Sequence, residues 1–229
     1  LHDEAVVGGQ FASSLGYSFS YDTRTTGLNP NSGVLLRFNQ DFAGLGGDLS
    51  YVSTTGLALA ERRVWNDDLT LRAVLEGGMI NMVKGNSRVT ERFFGNSKIR
   101  GFEANGLGPR DLNAVNEDAL GGNIFAVARF EAEFPIGLPA EYNIHGGAFV
   151  DVGSVWGLDD NLGGPLNCAT AVPSSCAAVD DSLRLRSSIG VSLFWETPIG
   201  PLRFNLSKPL RKEAYDKTRS FDLTISSQF

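Results

Sequence analysis

Leu15-Gly16-Tyr17-Ser18-Phe19-Ser20-Tyr21 places Leu15, Tyr17, Phe19 and Tyr21 at alternate positions, with Gly16, Ser18 and Ser20 between them. Side chains of an extended chain point alternately to opposite faces, so this stretch has one apolar and one small, polar face. The same period recurs downstream. Leu69, Leu71, Ala73 and Leu75 alternate with Thr70, Arg72, Val74 and Glu76. Leu183, Leu185, Ile189, Val191, Leu193 and Trp195 oppose Arg184, Arg186, Ser188, Ser192 and Glu196, and near the end Phe221, Leu223 and Ile225 alternate with Asp222 and Thr224. A soluble β-sandwich also alternates. Here, however, the polar face collects the charges, which points to a water-filled lumen on one side and lipid on the other. An arginine on the lipid face at mid-bilayer costs about 2–4 kcal/mol, a physical cause for that segregation. The expected fold is all-β, a transmembrane antiparallel meander β-barrel.

About nine strands are predicted, near 11–22, 33–40, 48–60, 69–78, 122–134, 142–156, 183–196, 202–207 and 218–228. Most approach the roughly 9–11 residues that a tilted strand needs to cross a bilayer. No helical period is sustained, and no run of 18 apolar residues occurs. Short turns rich in Pro and Gly, such as Thr197-Pro198-Ile199-Gly200-Pro201 and Pro135-Ile136-Gly137-Leu138-Pro139, are expected at one end of the strands. Long loops, 79–121 and 157–182, are expected at the other. Short periplasmic turns and long outer loops are the usual asymmetry of outer-membrane barrels.

The chain has 229 residues and a net charge of -6, enough for one large β domain. It has no basic stripe, so nucleic acid is not an expected partner. The opening Leu1-His2-Asp3-Glu4 is polar and lacks the apolar core of a signal peptide. An outer-membrane protein needs an export signal, so the expectation is a mature or truncated product. Cys168 and Cys176 share one loop, at a spacing that fits neither a zinc site nor a CxxC redox motif. A disulfide between them would contribute roughly 2–3 kcal/mol on the chain-entropy model and would fit an oxidising compartment; two free thiols are the alternative.

Nothing points to an enzyme. The two histidines are His2 and His145, and no G-x-S-x-G, P-loop or HExxH motif is present. No catalytic residue, metal site or cofactor is predicted. His145 reads as a satisfied lumen residue, and the pairs Asp159-Asp160 and Asp180-Asp181 read as solvated loop acids.

The loop 79–121 contains Glu91-Arg92-Phe93-Phe94-Gly95-Asn96 and then Ile99-Arg100-Gly101-Phe102. It is followed by Gly121-Gly122-Asn123-Ile124-Phe125-Ala126-Val127 and later by Phe149-Val150-Asp151-Val152-Gly153-Ser154-Val155-Trp156. An [V/I]RGF tetrapeptide in a long outer loop, a GGN…E…FP strand and an F-x-D-x-G-x-x-W strand, in that order, resemble the BamA-type outer-membrane assembly and translocation factors. The resemblance is to the C-terminal part of their barrel and covers nearly the whole chain. It implies an outer-membrane location and a family barrel of about twice this strand count, preceded by POTRA domains absent from this chain. By itself such a fragment would expose two sheet edges.

The resemblance further implies that the loop folds into the lumen and clasps Arg100 against Glu131 and Asp151, with Gly101 close to the wall and Phe102 anchoring the tip. Glu131 and Glu133 share the lumen parity of their strand, and Asp151 shares it with His145 and Phe149, so a planar guanidinium could pair with both walls. The simpler reading of Arg100 is a solvated loop arginine. Phe221, Leu223, Ile225 and Phe229 resemble the β-signal of outer-membrane proteins, although Ser226 stands where the family commonly has Gly. The implied function is assembly of client β-barrels at a weak seam beside this strand, with outer-membrane lipid, client barrels and periplasmic lipoproteins or chaperones as partners. The alternatives are a polypeptide-secretion or TamA-like barrel and a passive pore.

Overall fold

A computed structural model of the chain describes residues 9–24, 32–65, 68–95, 98–112, 116–159, 179–197 and 200–225. Nine strands form one sheet: β1 (Ser14–Asp22), β2 (Ser32–Ala43), β3 (Ser50–Val64), β4 (Leu69–Lys84), β5 (Ile124–Pro135), β6 (Ile144–Trp156), β7 (Arg186–Thr197), β8 (Gly200–Arg211) and β9 (Phe221–Ile225). They pair in chain order, each antiparallel to the next, as a meander. No second sheet faces this one among the described residues, which removes the sandwich reading. The sequence-predicted disulfide of Cys168 and Cys176, and the terminal Phe229, lie outside the described residues.

Every predicted strand is present, but several boundaries move for identifiable reasons. β4 runs to Lys84 rather than stopping at residue 78. Gly77 and Gly78 weaken a strand in isolation, yet β3 carries the ladder through them, pairing Gly56 with Gly77 and Thr55 with Gly78. A side chain at Gly78 would come within 2.5 Å of the Phe125 ring, so the glycine permits a close approach on the inner side. β8 extends from Gly200 to Arg211, past Pro201 and Pro209; a proline is tolerated where its nitrogen faces away from the partner strand. β7 starts at Arg186, so Leu183, Arg184 and Leu185 precede it. β9 starts at Phe221, not at residue 218.

The apolar parity faces outward. Leu15, Tyr17, Phe19, Leu75, Phe130, Val150, Val191, Leu206, Phe221 and Leu223 are all exposed, a far larger apolar surface than soluble monomers present. Arg62 and Lys208 share this parity, opposite Leu71 and Ile189. Both stand close to strand ends, where such a charge costs only about 0–1 kcal/mol. On the inner side the sheet curls strongly. Arg203 of β8 bonds Glu131 of β5, although three strand spacings on a flat sheet would separate them by roughly 14 Å.

Candidate functional site

The chain's own long loop between β4 and β5 folds onto the concave face and packs against β5 and β6. Its base is closed by reciprocal backbone bonds, Phe93 N–H to Gly122 O at 2.8 Å and Gly122 N–H to Phe93 O at 2.9 Å. Ile99, Phe102 and Leu107 of the loop pack with Phe125 and Val127 of β5 and Val155 of β6, and Phe93 joins the cluster. This is the buried core of the molecule. Burying each of these large side chains contributes about 1.5–3 kcal/mol, so the loop is a packed plug.

Within the plug, Arg100 meets both predicted carboxylates. Its backbone N–H and Nε donate to Asp151 Oδ2 at 3.0 and 2.7 Å, and Nη2 donates to Asp151 Oδ1 at 2.6 Å. Nη1 donates to Glu131 Oε1 at 2.7 Å. The guanidinium carbon also lies 3.5 Å from the centre of the Phe149 ring, within the range of a cation–π contact. Asp151 is fully buried and Glu131 nearly so. Burial opposes the charge on Arg100, but the bonds to Asp151 and the field of Glu131 prevail and raise its pKa. Glu131 serves three guanidinium groups, since Arg203 bonds the same oxygen and Arg72 lies 3.5 Å from Oε2. Arg72 is itself held by Glu61 at 2.7 Å.

Gly101 has φ +92°, and a Cβ there would stand 3.3 Å from the Ser188 Cβ and 3.5 Å from Pro209. The left-handed backbone and the wall contact both require glycine. Phe102 is buried. Lys98, one turn before, bonds Glu76 and lies 4.3 Å over the Phe125 ring. Arg129 reaches the other oxygen of Glu76 at 3.0 Å.

A second buried pair stands nearer the outer loops and was not foreseen. Arg186, 1% exposed, donates from Nε and Nη2 to the two oxygens of Asp216, each at 3.0 Å. Its Nη1 donates to Arg184 O at 2.9 Å. Glu213 N–H donates to Asp216 Oδ2 at 2.7 Å. The sequence placed Arg186 on the lumen face but offered no partner; an arginine at that parity beside the loop was the available signal. Burial pushes the Tyr215 phenol beside this pair up to about 12. Arg110, also buried, donates to Glu117 O at 2.8 Å and to Asn105 O, and burial lowers its pKa.

The loop acids are not merely solvated. Asp159 accepts Ser87 N–H at 2.7 Å and Asp181 accepts Leu158 N–H at 3.2 Å. Asp180 is bound by Arg184 at 3.0 Å. Burial works against the Asp180 charge, but bonds from Ser182 and Arg184 hold its carboxyl below the ordinary range. His145 Nδ1 lies 3.7 Å from Glu133.

β9 pairs with β8 from Leu202–Ile225 to Leu206–Phe221, and Phe221 and Leu223 point outward. Above Phe221, Ser207 N–H still donates to Ser220 O at 2.8 Å, but the preceding residues pair with the plug instead. Arg219 N–H donates to Gly101 O at 3.0 Å, Glu103 N–H to Lys217 O at 3.0 Å, and Lys217 N–H to Gly106 O at 2.8 Å.

Residues 5–229 match the model of the Omp85 superfamily domain. The chain is 32% identical over 224 residues to the outer membrane protein assembly factor BamA of Neorickettsia risticii, covering 97% of this chain and 28% of that protein. It is 28% identical over 219 residues to BamA of Neisseria meningitidis, covering 88% of this chain and 27% of that protein. Over 123 residues it is 34% identical to the sorting and assembly machinery component 50 homolog A of Xenopus laevis, covering 52% of this chain and 25% of that protein. The crystal structure of BamA from Haemophilus ducreyi lacking POTRA domains 1-3 superposes with a TM-score of 0.74 at 22% identity, over 92% of this chain and 41% of that one, a likeness of fold. The chain thus spans between a quarter and three tenths of the length of these curated relatives.

Proposed function

From the premise that this chain belongs to the Omp85 superfamily, as an outer-membrane β-barrel, we propose that it is the C-terminal barrel portion of an outer-membrane protein assembly factor. It folds client β-barrels at a seam beside β9. Two relatives bear the name assembly factor, and neither name is that of an enzyme. The working parts are Arg100, Gly101, Phe102, Glu131 and Asp151 as the lumen clasp, and Phe221, Leu223, Ile225 and Phe229 as the β-signal strand. POTRA domains upstream would bind periplasmic lipoproteins or chaperones. Client strands would add at the seam beside β9 by backbone pairing, a step that needs no catalytic group.

The observation that carries this reading is a clasped plug whose backbone is bonded to the residues leading into β9, Gly101 O accepting from Arg219 N–H. A plug packed on Ile99, Phe102 and Leu107 argues against a passive pore, which needs a clear lumen. The test replaces Arg100 with Ala in the full-length protein in its own outer membrane. Other β-barrels should fall several-fold in the membrane while the variant itself remains present. Unchanged barrel levels with a rise in ion conductance would overturn the assembly reading in favour of a pore.

A further inference from the structure

The last strand is held by different partners along its length, and two prolines explain why. Neighbouring residues of a strand direct their backbone groups to opposite sides, alternately. Ser207 donates to Ser220, so Arg203, Asn205 and Ser207 of β8 face β9, and by the same alternation so do Pro201 and Pro209. Continuing the register Leu206–Phe221 and Ser207–Ser220 puts Pro209 opposite Thr218. Proline has no N–H to donate. The β8 ladder therefore ends at Ser207, and the chain above it is free to lean into the lumen.

There it meets the plug. On the β9 side of the alternation, Ser220, Asp222 and Thr224 face β8, whereas Lys217, Arg219, Phe221, Leu223 and Ile225 face the edge of the sheet. Beyond that edge no described strand follows. The loop bonds fall on this edge: Arg219 N–H to Gly101 O, Lys217 N–H to Gly106 O, and Lys217 O from Glu103 N–H. Phe102 and Thr218 stand as an antiparallel bridge pair. Gly101 is the residue after Arg100, so the clasp and the edge contact are made by adjacent residues.

We propose that the clasped loop is a gate on the edge of β9 that faces away from β8. Docked, it acts as a short added strand over Lys217 and Arg219 and confines any incoming strand to Phe221 and the residues after it. Undocked, it surrenders those groups, and the edge lengthens upward by four residues. Pro209 is the positioning residue that denies this segment to β8 and leaves it for the loop. The gate rests on the proposed function only for what is added at the edge.

Hydrogen exchange on the full-length protein tests the gate without reference to clients. In Arg100→Ala, Lys217 and Arg219 amides should exchange at least about tenfold faster, while Asp222 and Thr224, bonded to β8, stay within about twofold. Unchanged protection at Lys217 and Arg219, or equal loss along the whole β8–β9 pair, overturns the gate. Should Arg100→Ala fail to fold, Phe102→Cys with Thr218→Cys leaves the charged partners Arg100, Glu131 and Asp151 in place. A bridge pair lies within disulfide reach, so oxidation should link them, whereas Phe102→Cys with Thr224→Cys should not link; no link in the first, in a folded barrel, also overturns the gate. With the link closed, client assembly should fall at least about tenfold and recover on reduction. A closed link with assembly unaffected would instead overturn the use of this edge in the proposed function.

Discussion

Arg100, partly exposed, and Arg186, fully buried, are both guanidinium groups on the inner side of one sheet, yet they are anchored in opposite senses. Arg100 sits on a loop and reaches the wall, where Asp151 of β6 and Glu131 of β5 receive it. Arg186 sits on the wall and reaches a loop, where Asp216 receives it. The difference lies in what remains when one partner is removed. Glu131 would keep Arg203 and Arg72, but Asp151, fully buried, would lose every side-chain donor that the clasp provides. Arg186 without the Asp216 charge would keep the Arg184 carbonyl, with Ser154 Oγ and the Tyr215 hydroxyl each at 3.4 Å. A buried carboxylate with one guanidinium is therefore more vulnerable than a buried guanidinium with several acceptors.

The largest expected effect follows from that asymmetry. Arg100→Ala should destabilise the full-length protein by about 3–5 kcal/mol in denaturant unfolding, because the Asp151 charge is left buried and unpaired. Adding Asp151→Asn should recover part of the loss, since the second change removes the orphaned charge. A double variant as unstable as the sum of its parts would break the comparison at its root. Asp216→Asn should cost less, about 2–3 kcal/mol, because an amide oxygen and the neighbouring acceptors still receive Arg186. Equal losses at Asp216 and Arg100 would mean that the additional acceptors do not compensate. Gly101→Ala should cost about 1–2 kcal/mol through its left-handed backbone and the Ser188 contact, and it should undock the loop without touching Arg186, read as faster exchange at Arg219 alone of the two regions.

The two regions also differ in how far the sequence disclosed them. Alternation disclosed the sheet, because lipid and lumen impose opposite solubilities on successive residues, and it placed Glu131, Asp151 and Arg186 on the inner face correctly. The Arg100 clasp was legible only through motifs in three separate segments; the three residues RGF alone would have suited a solvated loop. Asp216 was not legible at all, because its partner lies 30 residues away in a connection whose path no periodicity describes. Strand ends failed where local propensity and ladder pairing disagree. Gly77-Gly78 and Pro209 look like terminators, yet β3 carries β4 onward and β7 carries β8. The meeting of residues 217–219 with the plug depends on which side of β8 a proline nitrogen faces, and that requires the register.

Alkaline pH offers the finest separation of the two regions. Tyr215 belongs to the Arg186 region, and its phenol is pushed up to about 12, first by burial and then by Asp180, Asp216 and Glu213, against the pull of Arg186. An unfolded tyrosine ionises near 10. Between those values the unfolded chain releases a proton that the folded chain retains, so folding stability from this group is intact below about pH 10 and is lost as the pH rises through about 12. Arginine stays charged across this window, which leaves the Arg100 clasp without a titrating phenol among its direct partners. Absorbance titration of the tyrosines, differenced against Tyr215→Phe, should show one late-ionising phenol. Hydrogen exchange across the same range should loosen the Asp216 loop before the Arg100 loop. A Tyr215 that ionises near 10, or two loops that loosen together, would show that the outer pair is not a separate buried unit but an extension of the clasp below it.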